Sequence, residues 1–253
     1  MASIERPGNV KAAVLIVIGD EILTGKVKDD NSFVFTRTMF ERGVRVSRIE
    51  TIPDNIDVIA KTVAHHANST DYVCTSGGVG PTHDDVTFDG IAKAFALPIK
   101  EHDEAFAYFH SAQQKAGRGD LVSEAQRKML RYPTPCQVYF VQPLWLPLVV
   151  VNNVYIFPGV PYLFEKLLLN LAHLFVGGKF FRETVYTNLS ENQIAANLKA
   201  VQDENRAVAI GSYPKMPGGA YSVMITVEGV DENKVHAVAQ KLMPLIDGRR
   251  APS

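Results

Sequence analysis

The chain contains a glycine-rich stretch with the composition of a phosphate-binding loop, Ser76-Gly-Gly-Val-Gly-Pro-Thr-His-Asp-Asp-Val-Thr87. Its glycines can adopt backbone angles that strain other residues, which lets several backbone N–H groups turn towards one phosphate. The loop residues predicted to bind substrate are Ser76, Gly77, Gly78, Gly80, Thr82 and Thr87. The stretch has neither the Walker A spacing nor that of a dinucleotide-binding fingerprint. The alternative is that its glycines only turn a tight connection between a strand and a helix.

Two adjacent carboxylates, Asp84 and Asp85, lie near the end of this stretch. They repel each other and a nearby phosphate unless a cation neutralises them. We therefore predict that Asp84 and Asp85 bind a divalent metal ion, which would be Mg²⁺, Mn²⁺ or Co²⁺. The alternative for either residue is to cap the following helix. His83, next to them, is either a general acid or simply exposed to solvent.

Further acidic groups follow the first two predicted strands. Gly19, Asp20 and Glu21 come at the end of an apolar run, and Asp54 follows the second run. Ligands of open parallel sheets bind beyond the carboxyl ends of the strands, so these acids are expected to face the same cleft as the glycine-rich loop. One carboxylate among Asp20, Glu21 and Asp54 would orient or deprotonate a water molecule. The alternatives are a turn for Asp20, solvent exposure for Glu21 and helix capping for Asp54.

An alternation of strands and helices would position these groups. Apolar β-branched runs predict strands buried on both faces, and apolar residues at helical spacing predict the helices between them. The predicted elements are strands at 12–18, 44–52 and 72–75, and helices at 32–41, after Asp54 and at 86–95. Asn31, together with Asp30, either caps the first helix or binds a ligand. The order is typical of an α/β fold with a mainly parallel sheet.

The rest of the chain predicts two domains. Residues 100–150 give a weak, proline-rich pattern and are interpreted as an insertion or lid. A strand at 154–157 and a helix at 162–175 then rejoin the main sheet, which completes a domain of residues 1–178. From residue 179 to 253, the order strand, helix, strand, strand, helix indicates a small ferredoxin-like βαββα domain.

Composition restricts the possible partners and compartment. A hydrophobic content of 46% supports a full core, and a formal net charge of −1 provides no positive field for DNA or RNA. Two cysteines are too few for a disulfide framework, which indicates a reducing compartment. Residues 1–10 lack a signal-peptide core, and the first apolar run is shorter than the roughly 20 residues of a membrane span. We expect a cytoplasmic homo-oligomer without a nucleic-acid or membrane partner.

These motifs together resemble the MoaB/Mog domain family of molybdenum-cofactor biosynthesis. The resemblance is carried by Gly19-Asp-Glu-Ile-Leu-Thr-Gly25, Asp30-Asn31, Pro53-Asp54 and the glycine-rich stretch ending at Thr87. Within the family, Val154-Tyr-Ile-Phe-Pro-Gly-Val-Pro161 and Gly211-Ser-Tyr-Pro214 look most similar to the amino-terminal domain of eukaryotic FAD synthases and to CinA-type proteins. Pro158 and Gly159 are accordingly predicted to contact substrate.

The resemblance implies a Rossmann-like, three-layer MoaB/Mog fold and metal-dependent hydrolysis of a dinucleotide pyrophosphate of the FAD or ADP-ribose type. Asp85 and Asp54 match family acids tied to catalysis in adenylyl transfer. Asp20, Glu21 and Asn31 match the motif near the nucleotide. Because the sequence ends at Ser253, without the carboxy-terminal domain that transfers an adenylyl group to FMN, we do not expect FAD synthesis by this polypeptide alone.

The leading hypothesis is therefore a cation-dependent hydrolase that splits, for example, FAD into FMN and AMP. In it the loop stabilises the phosphate oxygens, Asp84 and Asp85 hold the metal, and Asp85, Asp54 and Asp20 are catalytic. The alternatives are a pterin- or nucleotide-binding module without turnover and a molybdopterin adenylyltransferase with a similar cleft.

Overall fold

The computed structural model describes residues 10–118, 120–215 and 220–250. They form two compact units, of which the larger spans Lys11–Gly177 and the smaller includes the chain from Gly178. The outer bounds of the predicted domains, residues 1 and 253, lie outside the described residues. Within those residues, no helix combines the length and the apolar character that crossing a membrane requires.

The larger unit is built on a six-stranded sheet. Its elements in chain order are β1 (Ala12–Ile18), α1 (Asp20–Leu23), α2 (Asn31–Glu41), β2 (Arg45–Ile52), α3 (Ile56–Ala67), β3 (Tyr72–Ser76), α4 (Thr87–Phe95), β4 (Ile99–Glu101), α5 (Asp103–Lys115), α6 (Glu124–Lys128), β5 (Arg131–Pro133), β6 (Gln137–Tyr139), β7 (Leu148–Val151), β8 (Val154–Phe157) and α7 (Pro161–Asn170). A 3₁₀ turn follows at Ala172–Leu174. The strand order is β2-β1-β3-β8-β7-β6. β2, β1, β3 and β8 are mutually parallel, which confirms the mainly parallel sheet.

Strand β1, which lies between β2 and β3 in the sheet, explains the three layers. Its side chains alternate between the two faces of the sheet, and both faces are buried. Val14, Ile16 and Ile18 pack in a core with residues of α3, α4 and α5. The residues between them pack in a second core with residues of α2 and α7. The predicted three-layer α/β fold is therefore confirmed.

Residues 100–150, predicted as an insertion or lid, have two structural roles. β4 and β5 form a separate two-stranded antiparallel sheet, and α5 and α6 lie between these two strands in the sequence. β6 and β7 instead extend the main sheet beyond β8 through antiparallel pairing. All four residues of β7 are buried, so this part of the segment belongs to the body of the unit.

The smaller unit has the predicted βαββα order. Its elements are β9 (Phe181–Thr187), α8 (Glu191–Glu204), β10 (Val208–Pro214), β11 (Val223–Gly229) and α9 (Glu232–Leu245). The three strands form an antiparallel sheet in the order β10-β11-β9. Apolar residues of all three strands and both helices form its core, which is separate from the two cores of the larger unit.

Candidate functional site

The carboxyl ends of three parallel strands meet at Gly77. Its backbone N–H donates to the carbonyl of Phe157, the last residue of β8, at 3.2 Å. A Cβ atom on Gly77 would lie 2.1 Å from the carbonyl oxygen of Ile18, the last residue of β1. A Cβ atom on Gly159 would in turn lie 3.2 Å from the Cα atom of Gly77. Only glycine fits at this crossing, so the glycine-rich sequence is what lets the three strand ends converge.

Thr87 holds the glycine-rich loop from the start of α4. Its fully buried hydroxyl donates to the carbonyl of Gly77 at 2.8 Å, and its N–H donates to the carbonyl of Gly78 at 2.9 Å. Sequence reasoning predicts Thr87 as a substrate contact. In the structure its hydroxyl proton is used in a hydrogen bond to a backbone carbonyl, so Thr87 stabilises the conformation of the loop.

Asn31 ties the start of α2 to the same crossing. Its buried Nδ2 donates to Ser76 Oγ and to the carbonyl of Gly159, both at 2.9 Å. Of the two alternatives for Asn31, helix capping is wrong. Neither the Asp30 nor the Asn31 side chain makes a capping bond, and Asp29 Oδ1 accepts from the N–H of Ser32 at 3.0 Å. Asn31 therefore connects α2 to the ends of β3 and β8.

Replacing Asn31 tests this connection. Asn31→Ala leaves Ser76 Oγ and the carbonyl of Gly159 without their donor, and we expect a loss of about 1–3 kcal/mol in the free energy of unfolding, measured with urea. The matched control is Asn170→Ala, because Asn170 Nδ2 donates to a backbone carbonyl at 2.8 Å but is exposed. The control should change stability by less than about 0.5 kcal/mol. Equal losses in the two variants would contradict the role of Asn31.

Asp54 lies beside the loop rather than at the cap of α3. The helix is capped by Asn55, whose Oδ1 accepts from the N–H groups of Asp57 at 2.9 Å and Val58 at 3.1 Å. The interpretation of Asp54 as the capping residue is therefore wrong. Its Oδ2 accepts instead from the N–H of Asp20 at 2.9 Å.

Several acids act on Asp54. The pKa of its carboxyl is raised mainly by burial, and further by the negative charges of Glu21, Asp20 and Asp84, while the hydrogen bond from the Asp20 N–H partly offsets these effects. Asp20 and Glu21 lie in α1 after β1, Asp54 follows β2, and Asp84 lies in the loop after β3. The acids predicted to face one cleft are thus close enough for their charges to interact.

The two loop acids have different surroundings. Asp85 Oδ2 accepts from the N–H of Thr82 at 2.8 Å and from its hydroxyl, which closes the turn, and a Cβ atom on Gly80 would lie 2.6 Å from the same oxygen. Asp84 is fully exposed, and its pKa is lowered mainly by a hydrogen bond with the Thr82 side chain and also by the charges of His83 and Lys128. Asp84 is thus the exposed loop carboxylate, and its charge acts on Asp54.

The remaining predicted residues lie at the same strand ends. Gly19 is buried and donates from its N–H to the carbonyl of Ile52 at 3.1 Å, and the Glu21 carboxylate folds back over it. Pro158 is buried and Gly159 is exposed, directly after β8. Gly78 lies between Thr87 and Asp54, since its Cβ atom would be 3.4 Å from Asp54 Oδ1.

Lys128 is a loop contact that sequence reasoning missed. It ends α6, in the weakly patterned segment 100–150, and its Nζ donates to the carbonyl of Thr82. The contact spans 46 residues of sequence. No local spacing could have indicated it.

The donor atoms of the site are carboxylate oxygens, the type that Mg²⁺ and Mn²⁺ prefer. In the part of the chain that the structure describes, no group of three or more His, Cys, Asp or Glu side chains is arranged to hold a metal ion. The carboxylates alone therefore do not form a complete protein cage, and a cation here would need ligands from water or substrate.

Comparison with known protein families divides the chain at the same place as its contacts. The model described as "Probable molybdopterin binding domain" matches residues 14–176. The model described as "FAD synthase, middle domain" matches residues 179–251. The two matches thus correspond to the larger and the smaller unit.

Individual relatives cover the chain to different extents. A protein of Archaeoglobus fulgidus is 32% identical over 94% of this chain and 99% of its own length. A probable FAD synthase of Caenorhabditis elegans is 34% identical over 94% of this chain, which spans only 50% of that protein. A CinA-like protein of Myxococcus xanthus is 32% identical over 61% of this chain and 37% of its own length. Among solved structures, CinA of Thermoplasma acidophilum, titled as of unknown function, matches 66% of this chain and 99% of its own with a TM-score of 0.59 and 28% identity.

Proposed function

The chain belongs to the molybdopterin binding domain family, and we propose that its glycine-rich loop binds the phosphates of a small nucleotide. The adjacent acids would hydrolyse a dinucleotide pyrophosphate of the FAD or ADP-ribose type. The observation that carries the proposal is the position of Asp54 beside the loop, where a Cβ atom on Gly78 would lie 3.4 Å from its Oδ1 and the N–H of Asp20 holds its Oδ2 at 2.9 Å. Burial and the neighbouring carboxylates raise the pKa of Asp54 there. Ionisable groups with perturbed pKa values in a cleft are typical of catalytic sites.

The loop supplies the groups that bind phosphate. It follows a buried strand and leads into α4, so N–H groups of the loop and the start of the helix favour an anion. The contacts of Asn31 and Thr87 fix the loop before ligand arrives, which reduces the entropy lost on binding. A preorganised set of donors stabilises charge that develops on the phosphate oxygens during cleavage.

A divalent cation fits this site as a partner of the substrate. Mg²⁺ is usually bound by one or two carboxylates together with water and substrate phosphates, and the exposed Asp84 next to Asp85 matches that need. Asp84 and Asp85 would hold the ion, with Asp85 using the oxygen that Thr82 does not occupy. Bound there, the cation would neutralise phosphate charge as a Lewis acid.

Asp54 is the acid best suited to accept a proton. Its pKa is raised, and one of its oxygens is already oriented by the N–H of Asp20. In the proposed reaction the oxygen of a water molecule bonds to one phosphorus, and the bond from that phosphorus to the bridging oxygen breaks. Asp54 takes the proton of the water, and the second phosphate departs with the bridging oxygen. FAD would give FMN and AMP.

A product assay tests the proposal. The purified full chain is incubated with FAD or ADP-ribose, or with ATP and molybdopterin, each in the presence of Mg²⁺, Mn²⁺ or Co²⁺. Release of AMP from FAD or ADP-ribose is expected, with loss of activity after EDTA treatment and recovery on adding metal. An adenylylated pterin would instead identify an adenylyltransferase, and binding without products would identify a binding module. Either result would overturn the hydrolase proposal.

A further inference from the structure

The segment of residues 100–150 brings a lysine to the glycine-rich loop. Lys128 Nζ donates to the backbone carbonyl of Thr82, and its positive charge acts on the neighbouring Asp84. Across residues 10–118, 120–215 and 220–250, Lys128 forms no ion pair with a carboxylate within 4.0 Å, while its neighbours Arg127 and Arg131 each do. Its ammonium group therefore contacts a neutral carbonyl, although several acids lie nearby.

The helix that carries Lys128 is held by contacts away from the loop. Ser123 and Gln126 form a capping box at the start of α6. Arg127 Nη1 donates to both carboxylate oxygens of Glu101 at 2.8 and 2.9 Å, and its guanidinium lies 4.6 Å from the centroid of the Phe106 ring. These contacts fix the backbone of α6, so Lys128 loses less entropy when it holds a ligand.

We propose that Lys128 binds the pyrophosphate of the substrate, an inference that rests on the function proposed above. An ammonium group has three N–H donors, and the bond to Thr82 uses one of them. The others remain for phosphate oxygens next to the loop. The acids around Asp54 make the site negative, so a positive charge from the protein would favour a polyanionic substrate in addition to the proposed metal ion. Of the three basic residues in the segment 123–131, Arg127 and Arg131 pair with glutamates, whereas Lys128 donates to the loop. This contact gives the segment 100–150 a role in substrate binding.

Binding measurements with three variants test this inference. The full chain with Mg²⁺ is titrated with ADP-ribose and, separately, with adenosine, which lacks phosphate. Lys128→Met is expected to weaken ADP-ribose binding by about 10- to 100-fold, because a charged hydrogen bond is lost, and to leave adenosine binding unchanged. Lys128→Arg should restore most of the affinity. Lys115→Met is the matched control, because Lys115 lies in the same segment at the exposed end of α5.

The outcomes separate this inference from the proposed hydrolase activity. Unchanged ADP-ribose binding by Lys128→Met overturns the inference, whether or not AMP is released. Equal weakening for ADP-ribose and adenosine also overturns it, because that result indicates a purely structural role for the bond to Thr82. If the wild type binds ADP-ribose without releasing AMP and Lys128→Met weakens that binding, the hydrolase proposal fails and the role of Lys128 stands. A wild type that binds neither ADP-ribose nor FAD in the same titration overturns both.

Discussion

Gly77→Ala is expected to lower the free energy of unfolding by roughly 2–6 kcal/mol and to abolish ligand binding. The backbone of Gly77 has a φ of +112°, which costs a residue with a side chain about 1–3 kcal/mol. The new Cβ would also lie 2.1 Å from the carbonyl oxygen of Ile18, and such overpacking adds typically about 1–3 kcal/mol. Natural domains have only about 5–15 kcal/mol of stability in total, so part of the population would unfold.

Gly25→Ala is the control that separates the clash from the backbone strain. Gly25 also has a positive φ, of +69°, but no atom lies within 4 Å of the position its Cβ would take. It should therefore show only the strain, and unfolding in urea should show a smaller loss than for Gly77→Ala. Equal losses would mean that the close approach of β1 and β3 does not determine the stability of the loop.

The features that the sequence predicts correctly are those that short, local residue patterns determine. The β-branched runs of β1 and β3 predict buried strands because every side chain in them is apolar or small, and both are buried in the structure. The glycines at 77, 78 and 80 predict a loop with unusual backbone angles; Gly77 and Gly78 have a positive φ, whereas Gly80 does not. Acids that follow strands of a parallel sheet must lie at its carboxyl edge, which is why Asp20 and Asp54 were predicted to be neighbours.

The wrong capping predictions concern positions where two neighbouring residues of similar chemistry could fill the same role. Asp54 and Asn55 are both good helix caps, and spacing alone cannot choose between them. The chain uses Asn55 because Asp54 accepts from the N–H of Asp20. Likewise Asp29 bonds the first turn of α2, which leaves Asn31 for Ser76 and Gly159, partners 45 and 128 residues away. Such distant partners cannot be inferred from helical periodicity.

The segment 100–150 is not one insertion or lid, because its strands are divided between two sheets. The run Leu148–Val151 has the apolar, β-branched composition of a buried strand, but the prolines before it obscured the signal. Pairing with β8 places it in the main sheet. The contact from Lys128 to the loop depends on how α6 packs, which a sequence pattern does not contain.

Asp54→Asn is expected to raise stability at neutral pH. Folding raises the pKa of Asp54, so ionising this group costs the folded protein more than the unfolded chain. The stability that the protonated form contributes is present below the unfolded pKa and is lost as the pH rises through the folded pKa. Asparagine is neutral at every pH and keeps an oxygen for the N–H of Asp20. The excess stability of the variant, measured by urea unfolding, should therefore shrink as the pH falls towards the unfolded pKa.

The same Asp54→Asn substitution should lower the rate of pyrophosphate hydrolysis by about 10²–10⁴-fold, because the variant cannot accept a proton from water. Asn55→Ala, one residue away, should have the opposite pattern. It removes the cap of α3, costs about 0.5–2 kcal/mol of stability and leaves the carboxylates in place. Suppose that Asp54→Asn is more stable but inactive, and Asn55→Ala is less stable but active. The acids around Asp54 then serve catalysis and lower the stability of the fold. An Asp54→Asn protein that is less stable at neutral pH, or as active as the wild type, would contradict that explanation.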